Sequence, residues 1–376
     1  MRKIIVLSIL FMLNQSLATE LKIAVSDTNL GGVNQSHLKS ILSCTTGILE
    51  ENITIKSFPS LRGRQEFLNR TVDGYYPVVF TSELKNNGLF PLYIDEVLMI
   101  KLKDIPDKNI SLGLVKGDHS QYLKKFKDYT LSFSVLNSKT LFRGLVEKRA
   151  EAIIVKRSEI PNDFLLDNFD LKSLEYVESG IELNTSFYKK AAMGKIEVRK
   201  RYSECLEKVN FLLDHDRRES IVNKIRKDIE HIQSIFTIER KNVSNIAKKE
   251  KMWKDGSRGL DFIQKILKSE ESIKLKEVLS GYNFVSEAFI FNHQGATLGE
   301  TIKSSDFDQS DERKYSLVKS QKEFNENNIT DLYYDASSGV FQIGIMIRLQ
   351  DRKGDFSGGI YIGANINKIL THYKIN

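Results

Sequence analysis

Leu141-Phe142-Arg143-Gly144-Leu145-Val146-Glu147-Lys148-Arg149-Ala150-Glu151 runs directly into Ala152-Ile153-Ile154-Val155. Leu141, Phe142, Leu145 and Val146 recur at the spacing of one helical face, and the apolar run after them is a short buried strand. A helix feeding a buried strand is the repeating unit of a parallel α/β sheet. Upstream the alternation continues with strands at Leu112 to Val115 and Leu131 to Val135, and a helix from about Ser120 between them. A break from Asp104 to Asn109 separates this run from an earlier one of the same kind. There Leu21 to Val25, Asn52 to Lys56 and Pro77 to Phe80 are the strands. One helix carries Leu38, Ile41, Leu42, Ile48 and Leu49, and another Phe67, Leu68 and Val72. Two α/β runs in succession imply two lobes, each with its own sheet, hinged around a crevice. Ligands of open α/β sheets bind at the carboxyl ends of the strands, so the crevice is the expected site.

Two helices close this region, one with Val198, Tyr202, Cys205, Leu206, Val209 and Leu213, the next with Ile221, Ile225, Ile229 and Ile232. From Arg240 to Arg258 the chain is charged and poor in apolar residues, as an exposed connection would be. Beyond it a helix with Leu260, Ile263, Ile266 and Leu267 continues toward Leu279, and the pattern then turns to β. Phe284 to Phe291, Ile343 to Leu349 and Gly358 to Ile366 are the strands of an antiparallel sheet, so this part is a separate α+β module. The expected organisation is residues 1–18, 19–238, 239–257 and 258–376 as leader, two-lobed domain, linker and sensor-like domain.

Arg2 and Lys3 precede an apolar run from Ile4 to Leu13, and Ser16-Leu17-Ala18 follows, the pattern of a secretory leader cleaved after Ala18. No later segment approaches the roughly 20 apolar residues of a spanning helix, so no membrane span is expected after cleavage. The expected location is the periplasm. The formal charge of +7 falls by two when Arg2 and Lys3 leave, and basic residues alternate with acids, as in Lys248-Lys249-Glu250-Lys251. Such mixing argues for a solvated surface and against nucleic acid. The two cysteines, Cys44 and Cys205, sit on apolar helix faces and are either one disulfide or two buried thiols.

Residues 21 to about 235 resemble the type 2 periplasmic solute-binding proteins, the family that includes amino-acid-binding components of ABC importers. The resemblance rests on Leu61 to Arg64 leading to Thr71-Val72-Asp73-Gly74-Tyr75, on Leu112 to Gly117, and on Leu141 to Ala152. It implies a non-enzymatic protein that closes on a small solute. Members that bind amino acids usually carry an arginine after a Thr-Pro-Glu segment and an acid after the last strand of the second lobe. Here those stretches read Thr81-Ser82-Glu83-Leu84-Lys85 and Ile154-Val155-Lys156-Arg157, so Leu84 and Lys156 stand at the two positions. Lysine in place of an acid points to an anionic ligand.

Residues 258–376 resemble PDC or Cache-type extracytoplasmic sensor domains, on Phe289 to Gly295, on Ser304 to Tyr315 and on Tyr334-Asp335-Ala336-Ser337-Ser338. This resemblance implies a pocket with Asp306, Lys314 and Asp335, and signalling to a membrane partner such as a receptor kinase or a cyclase. An ABC permease is the partner if the chain serves an importer instead.

Several residues could touch the crevice ligand, and each has a structural alternative. Arg62 and Arg64 could clamp an anion or start a solvated helix. Asp73, with Tyr75 beside it, could take a ligand hydrogen bond or cap its turn. Thr81 follows the Pro77 strand. His119 precedes one helix and Asn137-Ser138 opens another, where free N–H groups receive an anion or a side-chain cap. Lys156 ends the last strand of its lobe. Asp306 to Glu312 lacks the glycine and glutamate of a calcium loop, having Asp311 and Leu317 at those places. No His-Glu-x-x-His, Gly-x-Ser-x-Gly or Walker loop occurs, so neither an enzyme, a metal nor a cofactor is expected.

Overall fold

The structure, a computed structural model, describes residues 20–26, 35–79, 89–106, 108–115, 129–135, 138–161, 164–211, 213, 215–236, 239–240, 242–256, 259–320, 323–335 and 338–375. The leader and the helix expected from about Ser120 lie outside the described residues. The chain divides after Leu206 into two compact units.

The first unit contains β1 (Leu21–Ser26), α1 (Gln35–Thr46), β2 (Ile53–Phe58), α2 (Ser60–Leu68), β3 (Gly74–Val79), β4 (Leu89–Leu102), β5 (Ile110–Val115), β6 (Tyr129–Val135), α3 (Ser138–Val146), β7 (Ala152–Lys156), β8 (Phe169–Leu183), α4 (Thr185–Lys190) and α5 (Lys195–Leu206). Its strands form one eight-stranded sheet in the order β2-β1-β3-β8-β4-β7-β5-β6. Two separate sheets were expected, and this is a correction. The parallel sets β2-β1-β3 and β7-β5-β6 exist as anticipated, but β4 and β8 pair antiparallel along their length and join the two sets into one sheet, with register shifts between Pro91 and Tyr93 and between Val97 and Leu98.

The stretch 141–155 folds as its periodicity dictates. Leu141, Phe142 and Leu145 of α3 pack on Leu98, Ile100, Ile153 and Val155, while Ala152 and Ile154 face the opposite side against Val97, Met99, Leu112 and Leu114. Every residue of β7 is buried, so both faces of the sheet are covered at this strand, as a parallel strand requires. Gly144 lets α3 approach closely: a Cβ there would lie 2.2 Å from the Phe133 ring. At the other end Ala24, Phe67, Val72 and Tyr75 make a smaller core.

Cys44 of α1 and Cys205 of α5 form a disulfide, with Cα atoms 6.0 Å apart. The alternative of two buried thiols is thereby excluded.

The second unit, Glu207–Ile375, holds β9 (Asn210–Phe211), α6 (His215–Ile235), α7 (Ile246–Lys254), α8 (Leu260–Leu267), α9 (Glu270–Leu279), β10 (Val285–Asn292), β11 (Thr297–Glu300), α10 (Arg313–Ser320), β12 (Leu332–Asp335), β13 (Val340–Gln350), β14 (Phe356–Asn365) and α11 (Ile366–Tyr373). Its antiparallel sheet has the order β11-β10-β14-β13-β12-β9. The helix bearing Ile221 to Ile232, read from sequence as the close of the first domain, belongs here as α6. Its apolar face needs a partner, and Ile225, Ile229 and Ile232 find Ile345 and Ile362 on one face of the sheet. The helix expected to run on toward Leu279 is broken at Ser269, whose hydroxyl accepts the Ser272 N–H and caps α9. Among the described residues no helix is long and apolar enough to cross a membrane.

The disulfide closes a loop of 161 residues. Replacing both cysteines with alanine is expected to lower the unfolding free energy by about 2–5 kcal/mol, read from the denaturant midpoint of the first unit.

Candidate functional site

Strand register locates the site in the first unit. β3 ends with Val79 opposite Ser179, which is itself opposite Tyr93 of β4. β7 ends with Lys156 opposite Val97 of β4. Because β3 pairs antiparallel to β8 and β7 antiparallel to β4, the two parallel sets run in opposite directions. Their carboxyl ends therefore converge on the middle of the long pair, at residues 93–97 and 175–179. That is where an open α/β sheet presents its loops to a ligand, here from both sides.

At this crossing the sequence places Asp95 and Glu96 inside a largely apolar strand, and both are buried. Asp95 Oδ2 accepts the Ser158 hydroxyl, and its Oδ1 accepts the Ser158 N–H at 3.4 Å. Burial pushes the Asp95 carboxyl up to about 6, although the Ser158 hydrogen bonds and the Lys156 charge pull the other way. Glu96 accepts from Arg157 Nε at 2.6 Å, and Arg157 remains about half exposed (48% of its side chain). Tyr76 is raised by burial and by the Asp95 charge, and Tyr93 is pushed up to about 12 for the same two reasons. Both phenols keep their protons at neutral pH. The crossing thus offers two acids, two bases and two phenols.

The residues singled out from sequence fall into three groups. Lys156 is at its strand end as anticipated, but it is buried, and its charge bears on the Asp95 carboxyl. Ser138 is the first residue of α3, beyond the carboxyl end of β6. Thr81, His119 and Asn137 lie outside the described residues.

The second group serves the scaffold. Arg62 pairs with Glu66 one turn along α2 at 3.7 Å. Arg64 pairs with Glu182 of β8, and its guanidinium lies 5.5 and 5.7 Å from the ring centroids of Phe67 and Tyr75. Asp73 and Tyr75 were expected in a loop at the carboxyl end of a strand. They stand instead at the amino end of β3, away from the crossing. Asp73 is buried and accepts from Lys22 N–H at 2.8 Å, from Lys190 Nζ at 2.7 Å and from the Ser186 hydroxyl, which leaves a ligand little access. Tyr75 belongs to the small core.

The second unit has a cavity of about 330 Å³ between α10 and one face of its sheet, lined by Arg218, Lys314, Thr330, Asp331, Tyr333 and Tyr361 among others. Lys314 is in its wall, with Nζ 4.9 and 5.1 Å from the ring centroids of Phe289 and Tyr361. Arg218 is held by Asp331 and by the carbonyl of Ile329. The other two residues of the expected pocket do not line it. Asp306 pairs with Lys254 Nζ at 2.8 Å, and Asp335 accepts the Ser338 N–H at 2.7 Å and caps a turn. Tyr333 and Tyr361, which touch hydroxyls in the wall, were not foreseen.

No known family's profile matches the chain, and no curated protein does. Among solved structures it is similar to an ABC uptake transporter substrate-binding protein from Streptococcus pneumoniae with bound histidine, at a TM-score of 0.37 and 13% identity, over 50% of this chain and 86% of that one. It is similar to the periplasmic VFT2 domain of BvgS from Bordetella pertussis, at 0.37 and 13%, over 51% and 96%. It is also similar to the GluR0 ligand-binding core from Nostoc punctiforme in complex with L-glutamate, at 0.36 and 14%, over 50% and 98%.

The Asp95 carboxyl is raised in the fold above its ordinary value of 3.8, so the folded chain holds that proton more tightly than the unfolded chain. Its ionisation opposes folding above about pH 6, and the penalty disappears as pH falls toward 4. Relative to Asp95→Asn, the wild type is expected to gain about 3 kcal/mol of stability between about pH 8 and pH 4, measured by denaturant titration at each pH.

Proposed function

We propose that this chain is a solute-binding and sensing protein of the cell envelope, and that the two halves of its first unit close around a small polar solute at the β4/β8 crossing. The observation that carries the proposal is the convergence of two opposed parallel strand sets on Asp95, Glu96, Tyr76 and Tyr93. Buried acids inside an apolar strand are costly unless paired, and here they are paired with groups from the turn that follows β7. Such a network can be exchanged for a solute's own donors and acceptors as the halves move. The disulfide supports an oxidising compartment, consistent with the leader pattern at residues 1–18.

An anionic solute is the sharper form of this proposal. Lys156 lies beside Asp95 and Arg157 is paired with Glu96 at 2.6 Å, so an anionic solute would have to draw a cation away from its acid as the halves close. The second unit adds a cavity of its own for a small ligand, the place a PDC or Cache-like sensor would use, and signals to a membrane partner.

The test is thermal denaturation of the chain lacking residues 1–18 against carboxylates, phosphates, amino acids and polyamines. A solute present at about 100 times its Kd is expected to stabilise the first unit by about 2.7 kcal/mol, and Tyr93→Ala is expected to abolish that gain. A panel in which nothing shifts the midpoint defeats the binding proposal, and a response to amines alone defeats its anionic form.

A further inference from the structure

Glu287 lies on β10 beneath the cavity of the second unit, and it is the buried end of a hydrogen-bonded chain that surfaces in the cavity wall. Gln342 Nε2 on β13 donates to Glu287 Oε1 at 3.2 Å and to the Tyr333 hydroxyl at 2.7 Å. The Tyr333 hydroxyl meets that of Tyr361, and both tyrosines line the cavity. Gln342 is fully buried and its Oε1 has no partner, so no third contact fixes which way the amide points.

The proton inventory follows from these contacts. With Glu287 ionised, both Gln342 N–H groups are donated, so the Tyr333 oxygen accepts, its own O–H goes to Tyr361, and the Tyr361 O–H is left to an occupant. With Glu287 protonated, its O–H needs an acceptor. A half-turn of the amide supplies Oε1 to both Glu287 and Tyr333. Tyr333 then donates to the amide and accepts from Tyr361, whose oxygen is left as an acceptor.

Resting on the reading of this cavity as a ligand site, we propose that Glu287 is a positioning residue that sets the hydrogen-bond polarity of the Tyr333–Tyr361 pair, and so selects between anionic and cationic groups of a ligand. The groups facing Glu287 are Glu300 from β11, Tyr333 and Asp335 from β12, Tyr361 from β14 and Lys314 from α10, with Lys276 and Lys303 beside Glu300. Burial, then the Asp335 charge, push Glu287 up to about 7 against the pull of Lys314 and Gln342, so both states are accessible near neutral pH. Glu300 is likewise raised to about 7, by burial, but its hydrogen bonds go to Ser304 and do not enter the chain.

The test uses the full chain with carbon-13 at glutamate Cδ and tyrosine Cζ. One glutamate signal, missing in Glu287→Gln, is expected to titrate near neutral pH. Two tyrosine signals, assigned by Tyr333→Phe and Tyr361→Phe, are expected to move with the same midpoint. In Gln342→Leu the glutamate is expected to keep titrating while the tyrosines stand still. Tyrosine signals that ignore the Glu287 midpoint in the wild type, or that still follow it in Gln342→Leu, overturn the proposal.

Acetate and methylammonium are the probes of occupancy. Acetate affinity is expected to rise about tenfold between about pH 6 and pH 8, as the Tyr361 O–H becomes free to donate, methylammonium affinity to fall by a similar factor, and both trends to flatten in Glu287→Gln. Probes that bind with no such dependence overturn the selective role. A coupled glutamate–tyrosine titration with no probe bound at any pH instead defeats the reading of the cavity as a ligand site and leaves the polarity relay standing.

Discussion

The antiparallel pairing of β4 with β8 is the constraint on which the first unit depends. Each strand belongs to both halves: residues 89–93 of β4 lie beside the end of β8 that pairs with β3, and residues 97–101 lie beside β7. Register shifts fall between Pro91 and Tyr93 and between Val97 and Leu98, so the ladder is irregular on both sides of the centre of the pair. The buried acids Asp95 and Glu96 sit between those two shifts, at the centre of the pair.

The second unit solves a related problem differently. One face of its sheet is wholly apolar where α6 packs, with Ile345 and Ile362 meeting Ile225, Ile229 and Ile232. The opposite face carries Glu287, Gln342, Tyr333 and Tyr361, joined edge to edge by hydrogen bonds. Low dielectric strengthens such a chain and makes a missing partner costly. An apolar face and a hydrogen-bonded polar face are thus divided between the two sides of one sheet. Lys314 links the polar face to α10, the helix that forms the other side of the cavity.

Short elements with clean periodicity were legible in the sequence. The α3–β7 stretch, the early strands at Leu21 and Ile53, and the late strands β10, β13 and β14 all stand where apolar spacing put them. The long strands β4 and β8 were not seen. In β8 apolar residues alternate irregularly with Lys172, Glu175 and Glu178, and in β4 the Asp95-Glu96 pair interrupts the run. A strand that is half in one lobe and half in the other has no single periodicity to read. The site was missed for the same reason, although two adjacent acids inside Leu89 to Leu102 were the available signal. Asp73 misled in the opposite sense: an acid beside a glycine turn looks like a ligand contact, yet its three donors all come from the chain. The assignment of α6 depended on tertiary packing alone, since an amphipathic helix does not announce which sheet it will cover.

The bond between Cys44 and Cys205 has a mechanical consequence. Cys205 is one residue from the end of the first unit, and α5 also grips β4 through Tyr202 and Phe90, whose ring centroids are 5.0 Å apart. A pull applied through Glu207 cannot peel α5 away turn by turn, because the load passes at once through the sulfur atoms to α1, near the opposite terminus.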